Sequence, residues 1–217
     1  MLAGSVLVAG ALAYPLAPLL LGGEAYWMGG DGMEPTLRSG DLLVVRRLDR
    51  APSRGEVVLV HPFGDPADTY VQRVVAAAGD TVAMESGRLR LNGTELDEPY
   101  ARPPGPRGDS ADHRLAWMTG FATAAAPPSP TPATWGPVVV PRGHLLLLGD
   151  NRANDYDGRF SGFARCDWVV GVPTHIYMSF GDGGVRWRRI GPLDPASARE
   201  SPGAPRAPAP SPRLPDL

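Results

Sequence analysis

The sequence predicts a mostly β domain, a folded sheet or barrel, behind one N-terminal transmembrane helix. Residues 1–22 carry no charged side chain. After them, short apolar or alternating runs recur, each bounded by Gly, Pro or Asp, and no helical periodicity of about ten residues or more appears. The 27 glycines and 25 prolines among 217 residues favour turns and short strands over long helices.

The first element is "MLAGSVLVAGALAYPLAPLLLG". At about 1.5 Å per residue it would be about 33 Å long as a helix, enough to cross a hydrocarbon core. Pro15 and Pro18 would kink it, which membrane helices tolerate better than soluble ones. A cleaved secretory signal is the rival reading, because Ala11-Leu12-Ala13 resembles a small-x-small cleavage site. Against it, no positive region precedes the apolar run, which continues to Leu21. The missing N-terminal charge also leaves open a start further upstream. Glu24, Asp31 and Glu34 precede the first cation, Arg38, which favours an external position for the following domain.

The strand-like runs are "DLLVVRRL" (41–48), "EVVLVHP" (56–62), "YVQRVVAA" (70–77), "DTVAME" (80–85) and "RLRLNG" (88–93). Asn92-Gly93 inside "RLRLNGTEL" is a two-residue hairpin turn signal. "VVVPRGHLLLLGD" and "WVVGVPTHIYMSF" supply two or three further strands. Residues 102–135 break the pattern with Pro, Ala and Ser, and read as an irregular, partly mobile insertion. The expected organisation is an anchor over 1–23, a β domain over 24–190 with that insertion, and a disordered Pro/Ala-rich tail over 191–217.

The net charge of −2 gives no sign of a nucleic-acid partner. The single cysteine, Cys166, cannot form an intramolecular disulfide and reads as a small, mostly buried side chain. The chain contains no lysine, so no side-chain primary amine can act as a base. No metal or cofactor is assigned. His144 and His175 lie in strand-like contexts and read as structural.

Four stretches, in order, carry a family resemblance: "GDGMEPTLRSGDLLVV", "GEVVLVHP", "YVQRVVAAAGDTV" and "LLGDNRANDYDGRFSGF". "YMSFGDGGVRWRRIG" extends it to the C-terminal strand. The chain resembles bacterial type I signal peptidases, membrane-anchored serine proteases that remove signal peptides from exported proteins. The resemblance implies a signal-peptidase-like folded sheet, single-pass anchoring in the bacterial inner membrane, and a β domain on the external side. Its implied partners are the lipid bilayer and signal peptides or exported precursors.

The resemblance also implies a mechanism. A serine hydroxyl attacks the scissile carbonyl, a neutral lysine takes its proton, and a second serine steadies the amine. Here the nucleophile position is Gly32, the base position Gln72 and the orienting position Asp155. Glycine has no reactive atom, and a glutamine amide is not basic near neutral pH. Arg73 cannot replace the base, because guanidinium stays protonated. The positions implied to hold the frame remain: Pro35, Arg73, Gly149, Asp150, Asn151, Arg152, Asp157 and Arg159.

The resemblance further implies a groove in which an extended peptide adds as a strand. Residues 69–72, including Tyr70 and Val71, would form one wall, and Met28, Gly29, Gly30 and Asp31 the other. Met33 and Val71 would line a small pocket suited to Ala. These positions support a catalytically inactive relative that binds signal peptides, precursors or an active paralogue. Two alternatives stand beside it. One is an active peptidase using Asp31, Asp155 or Cys166. The other is a pilus or secretion assembly factor on the same fold.

Overall fold

The computed structural model describes residues 18, 20–65, 67–105, 110–123, 126–153 and 156–193. The expected membrane segment falls almost wholly outside them, as do Asp155 and the tail beyond Leu193. Among the described residues no helix is long and apolar enough to cross a membrane.

The strands are β1 (Glu24–Trp27), β2 (Asp41–Arg47), β3 (Val57–Val60), β4 (Tyr70–Ala77), β5 (Thr81–Glu85) and β6 (Arg88–Leu91). They continue as β7 (Thr94–Glu95), β8 (Trp135–Val139), β9 (His144–Leu148), β10 (Ala164–Arg165) and β11 (Val169–Gly181). β12 (Gly184–Val185) and β13 (Gly191–Pro192) complete them among the described residues, and a short α-helix, α1 (Gly158–Ser161), precedes β10. The fold is mostly β, as the sequence predicts.

The main sheet has the order β1-β2-β11-β3-β4-β9-β10, with β12 and β13 also on β11. β11 is long enough to pair with both β2 and β3, and its register against β2 shifts between Pro173 and His175 and again between Ile176 and Met178. Such shifts bend a strand and raise its twist, which curls the sheet. A smaller sheet, β7-β6-β5-β8, follows from β4 through the turn at Gly79. Its β6–β7 hairpin turns at Asn92-Gly93, where both residues have positive φ (52° and 83°) and Leu91 pairs Thr94. That is the turn the Asn-Gly pair predicts.

Among the described residues the buried apolar side chains sort into three clusters. One joins the small sheet to β9 through Met84, Leu89, Trp135 and Leu146. A second gathers Met28, Met33, Leu37, Leu43, Leu59 and Ile176 on one face of the main sheet. The third, Val58, Val60, Val74, Leu145 and Leu147, is covered by Ala164, Cys166 and Val169. Alternation along β3 and β4 sends successive side chains to opposite faces and so separates the last two.

Three features depart from the sequence reading. β1 was not expected; it pairs Glu24–Trp27 with Val45–Leu42 and leaves Trp27 exposed. The 102–135 insertion contains a 3-10 helix, His113–Gly120, capped by the Asp112 side chain accepting from the Arg114 N–H. Its Leu115 and Met118 are buried in the first cluster, so this part of the insertion packs. Described structure also continues past the expected boundary at 190: β13 pairs with His175 and Ile176, and Leu193 packs against the second cluster.

Candidate functional site

The segment 31–37 forms a compact turn before β2. The Glu34 N–H donates to the Asp31 carbonyl at 3.0 Å, and the Leu37 N–H to the Met33 carbonyl at 2.9 Å. Burial of Met33 and Leu37 seats the turn on the core, while Pro35 stays exposed. Gly32 lies at its start. Its carbonyl accepts from the Asn151 N–H at 2.9 Å, and Asn151 Nδ2 donates to the Asp31 carbonyl at 3.2 Å. Thr36 Oγ1 donates to Asp150 Oδ2 at 2.5 Å.

Gln72 sits in β4, opposite Val58 of β3, and is buried. Its Nε2 donates to the Tyr156 carbonyl at 3.3 Å. Gly32 and Gln72 are thus both tied to the segment that follows β9, one through Asn151 and the other through Tyr156.

That segment is fixed by charge-assisted pairs. Asp150 receives Arg73 Nε at 2.8 Å and Nη2 at 2.6 Å, a two-pronged pair with both side chains fully buried. Arg73 also donates to the Gly55 carbonyl and lies over the Tyr100 ring, 3.8 Å from its centroid. Asp157 caps α1 and takes Arg159 through Nε at 2.8 Å and Nη2 at 2.9 Å, and its Oδ2 accepts the Gly149 N–H at 3.1 Å. Arg159 Nη1 reaches the Arg152 carbonyl, and Arg152 Nε reaches the Gly149 carbonyl. Arg152 then pairs with Glu98. Planar guanidinium matches carboxylate geometry, which suits arginine to buried pairs of this kind.

A carboxylate committed to a buried guanidinium pair is not a free base, so Asp150 and Asp157 serve the frame. Cys166 is half-buried among the third cluster, and burial pushes its thiol up, away from a reactive thiolate. His144 and His175 are held by local contacts, to the Arg142 carbonyl and to Thr174. Among the described residues no group of metal-ligating side chains is assembled.

The family model described as "Signal peptidase, peptidase S26" matches residues 2–178. The chain belongs to the signal peptidase family. A signal peptidase I from Bacillus caldolyticus is 35% identical over 158 residues, covering 71% of this chain and 79% of the relative. A probable signal peptidase I-2 from Synechocystis is 31% identical over 156 residues, covering 68% of this chain and 60% of that relative's length. A solved signal peptidase I from Enterococcus faecalis V583 aligns with 25% identity and a TM-score of 0.38, covering 57% of this chain and 97% of that one.

The structure brings Asp31, Gly32, Thr36 and Arg73 to Asp150 and Asn151, and ties Gln72 to Tyr156. Val71 packs against the cluster that contains Met33, so those two share a face. β9 pairing ends at Leu148 opposite Arg73, and Tyr70 and Val71 run on past it. Met28 departs from the expected wall. Its N–H donates to the Asp41 carbonyl and its carbonyl accepts from Gly40, so its backbone serves β2. Gly30 stands open, with no atom within 4 Å of where a Cβ would lie.

Sequence reasoning missed a second brace. Asp41, fully buried, accepts from Ser179 Oγ at 2.6 Å, the Arg38 N–H at 2.8 Å, and Arg189 Nε at 3.0 Å and Nη2 at 2.5 Å. Arg189 also donates to the Thr36 carbonyl, which ties the C-terminal segment to the Gly32 turn. Glu98, Tyr100 and the Arg102–Glu34 pair were missed too. Gly40, next to Asp41, carried a signal: its φ is +85°, and a Cβ there would strike the Phe180 carbonyl at 2.1 Å.

Burial pushes the Asp41 carboxyl up, but the bonds from Arg189, Ser179 and the Arg38 N–H outweigh it and hold it below the usual range. The unfolded chain therefore binds this proton at higher pH than the folded one. The stabilisation is full above the ordinary Asp pKa and is lost as pH falls through the lowered value. Melting curves from about pH 6 to about pH 3 should show a steeper acid loss in the native protein than in Asp41→Asn, which starts lower.

Proposed function

We propose that this protein is a non-cleaving signal peptidase relative that holds the end of a signal peptide or exported precursor. A membrane anchor over residues 1–23 would keep the β domain on the external side. The observation that carries the reading is the contrast at the site. The turn at Gly32 and the strand at Gln72 are braced by Asn151, Asp150–Arg73 and Asp157–Arg159, yet those two positions offer no nucleophile and no base. A nucleophile and its base act as a unit, so loss of either removes most of the rate.

Binding does not need those groups. An extended peptide adding beside Tyr70 and Val71 would gain backbone hydrogen bonds and set a small side chain against Met33 and Val71. A fluorescein-labelled peptide with an Ala-x-Ala end tests this by polarisation. The native protein should bind it, and Val71→Asp should weaken binding about tenfold or more by placing a carboxylate on an apolar wall. Equal affinity for a scrambled peptide, or no effect of Val71→Asp, would refute the assigned groove.

A further inference from the structure

Val71 faces the Met33 side of β4, whereas Tyr70 and Gln72 face the other, where they line a separate cavity of about 80 Å³. Its walls also include Tyr156, Phe163, Trp168 and Asp68. With Tyr70, four of the lining residues are aromatic. Apart from the tyrosines, Asp68 is the one ionisable group among the described lining residues. The Tyr156 ring is exposed on one side and stacks on Phe160, with centroids 5.7 Å apart and planes at 15°. The guanidiniums over Phe160, those of Arg114 and Arg159, are already paired with Asp112 and Asp157.

Aromatic faces with one carboxylate at the rim suit an organic cation, because the ring quadrupole and the carboxylate attract the same charge. Residues of an added strand face the same side as their neighbours in the sheet and alternate between sides. A residue next to the one held against Met33 and Val71 would therefore point at Tyr70 and Gln72. We infer that this cavity takes an arginine or lysine side chain of the bound peptide, the residue between two small ones. The inference rests on the peptide-binding reading above and adds a sequence preference to it.

The test compares labelled peptides ending Ala-Arg-Ala, Ala-Lys-Ala and Ala-Gln-Ala on the native protein, Asp68→Asn and Tyr156→Leu. The cationic peptides should bind about five-fold more tightly than the glutamine peptide. Either substitution should reduce that advantage, read as the ratio of the cationic to the glutamine peptide's affinity on the same protein. Asp68 is exposed, so its replacement should not disturb folding. Equal affinities on the native protein, or an advantage that survives both substitutions, would overturn the cation site and leave the groove standing. Failure of all three peptides to bind would instead defeat the peptide-binding reading, and the cation site with it.

Discussion

Replacing Arg73 with methionine should lower the thermal unfolding midpoint by on the order of 10 °C. The reason lies in what remains. Arg73 and Asp150 are both fully buried and paired by two bonds. Without the guanidinium, Asp150 keeps the Thr36 hydroxyl but sits as an uncompensated buried charge. Breaking a buried pair from one side costs about 3–5 kcal/mol. Removing both charges should cost less than either single change, so Arg73→Met with Asp150→Leu should recover part of the loss. Calorimetry or circular dichroism melts would show this. An Arg73→Met protein melting within about 2 °C of the native one would mean that the pair does not brace the site.

The second large effect is gained chemistry. Gly32→Ser with Gln72→Lys, and Asp155→Ser added where needed, should create peptidase activity at least about 100-fold above the native protein's background. A lysine at the buried position 72 would have its charged form disfavoured, and a neutral amine is what a general base needs. Each single substitution should stay near background, because half of the unit does almost nothing. Chromatography of a labelled precursor reads both outcomes. A folded, peptide-binding combined variant that yields no product would show that the frame does not present these positions to each other.

Much of the fold was legible because period-two alternation and turn residues are local signals. β4 runs over the seventy-to-seventy-seven stretch its pattern predicts, and the Asn92-Gly93 turn needs only two residues to declare itself. β1 was not, since four mostly exposed residues leave no apolar period to read. The braces were partly legible. Asp157 and Arg159 lie two residues apart inside a recognisable motif, whereas Asp41 and Arg189 meet only when β11 returns the chain to β2. The Leu115 and Met118 packing was hidden by surrounding Pro and Ala, whose composition says loop while two apolar residues decide the contact.

The most direct test of the central claim is mass spectrometry of a precursor with an Ala-x-Ala signal, incubated with the full-length native protein in detergent or bilayer. Binding should be followed in the same tube, and an active signal peptidase run alongside. The bound precursor should remain intact while the active enzyme cuts it. A product cut after the second Ala, at a rate near that of the active enzyme, would contradict that claim and send the search for the nucleophile to Asp31, Asp155 and Cys166.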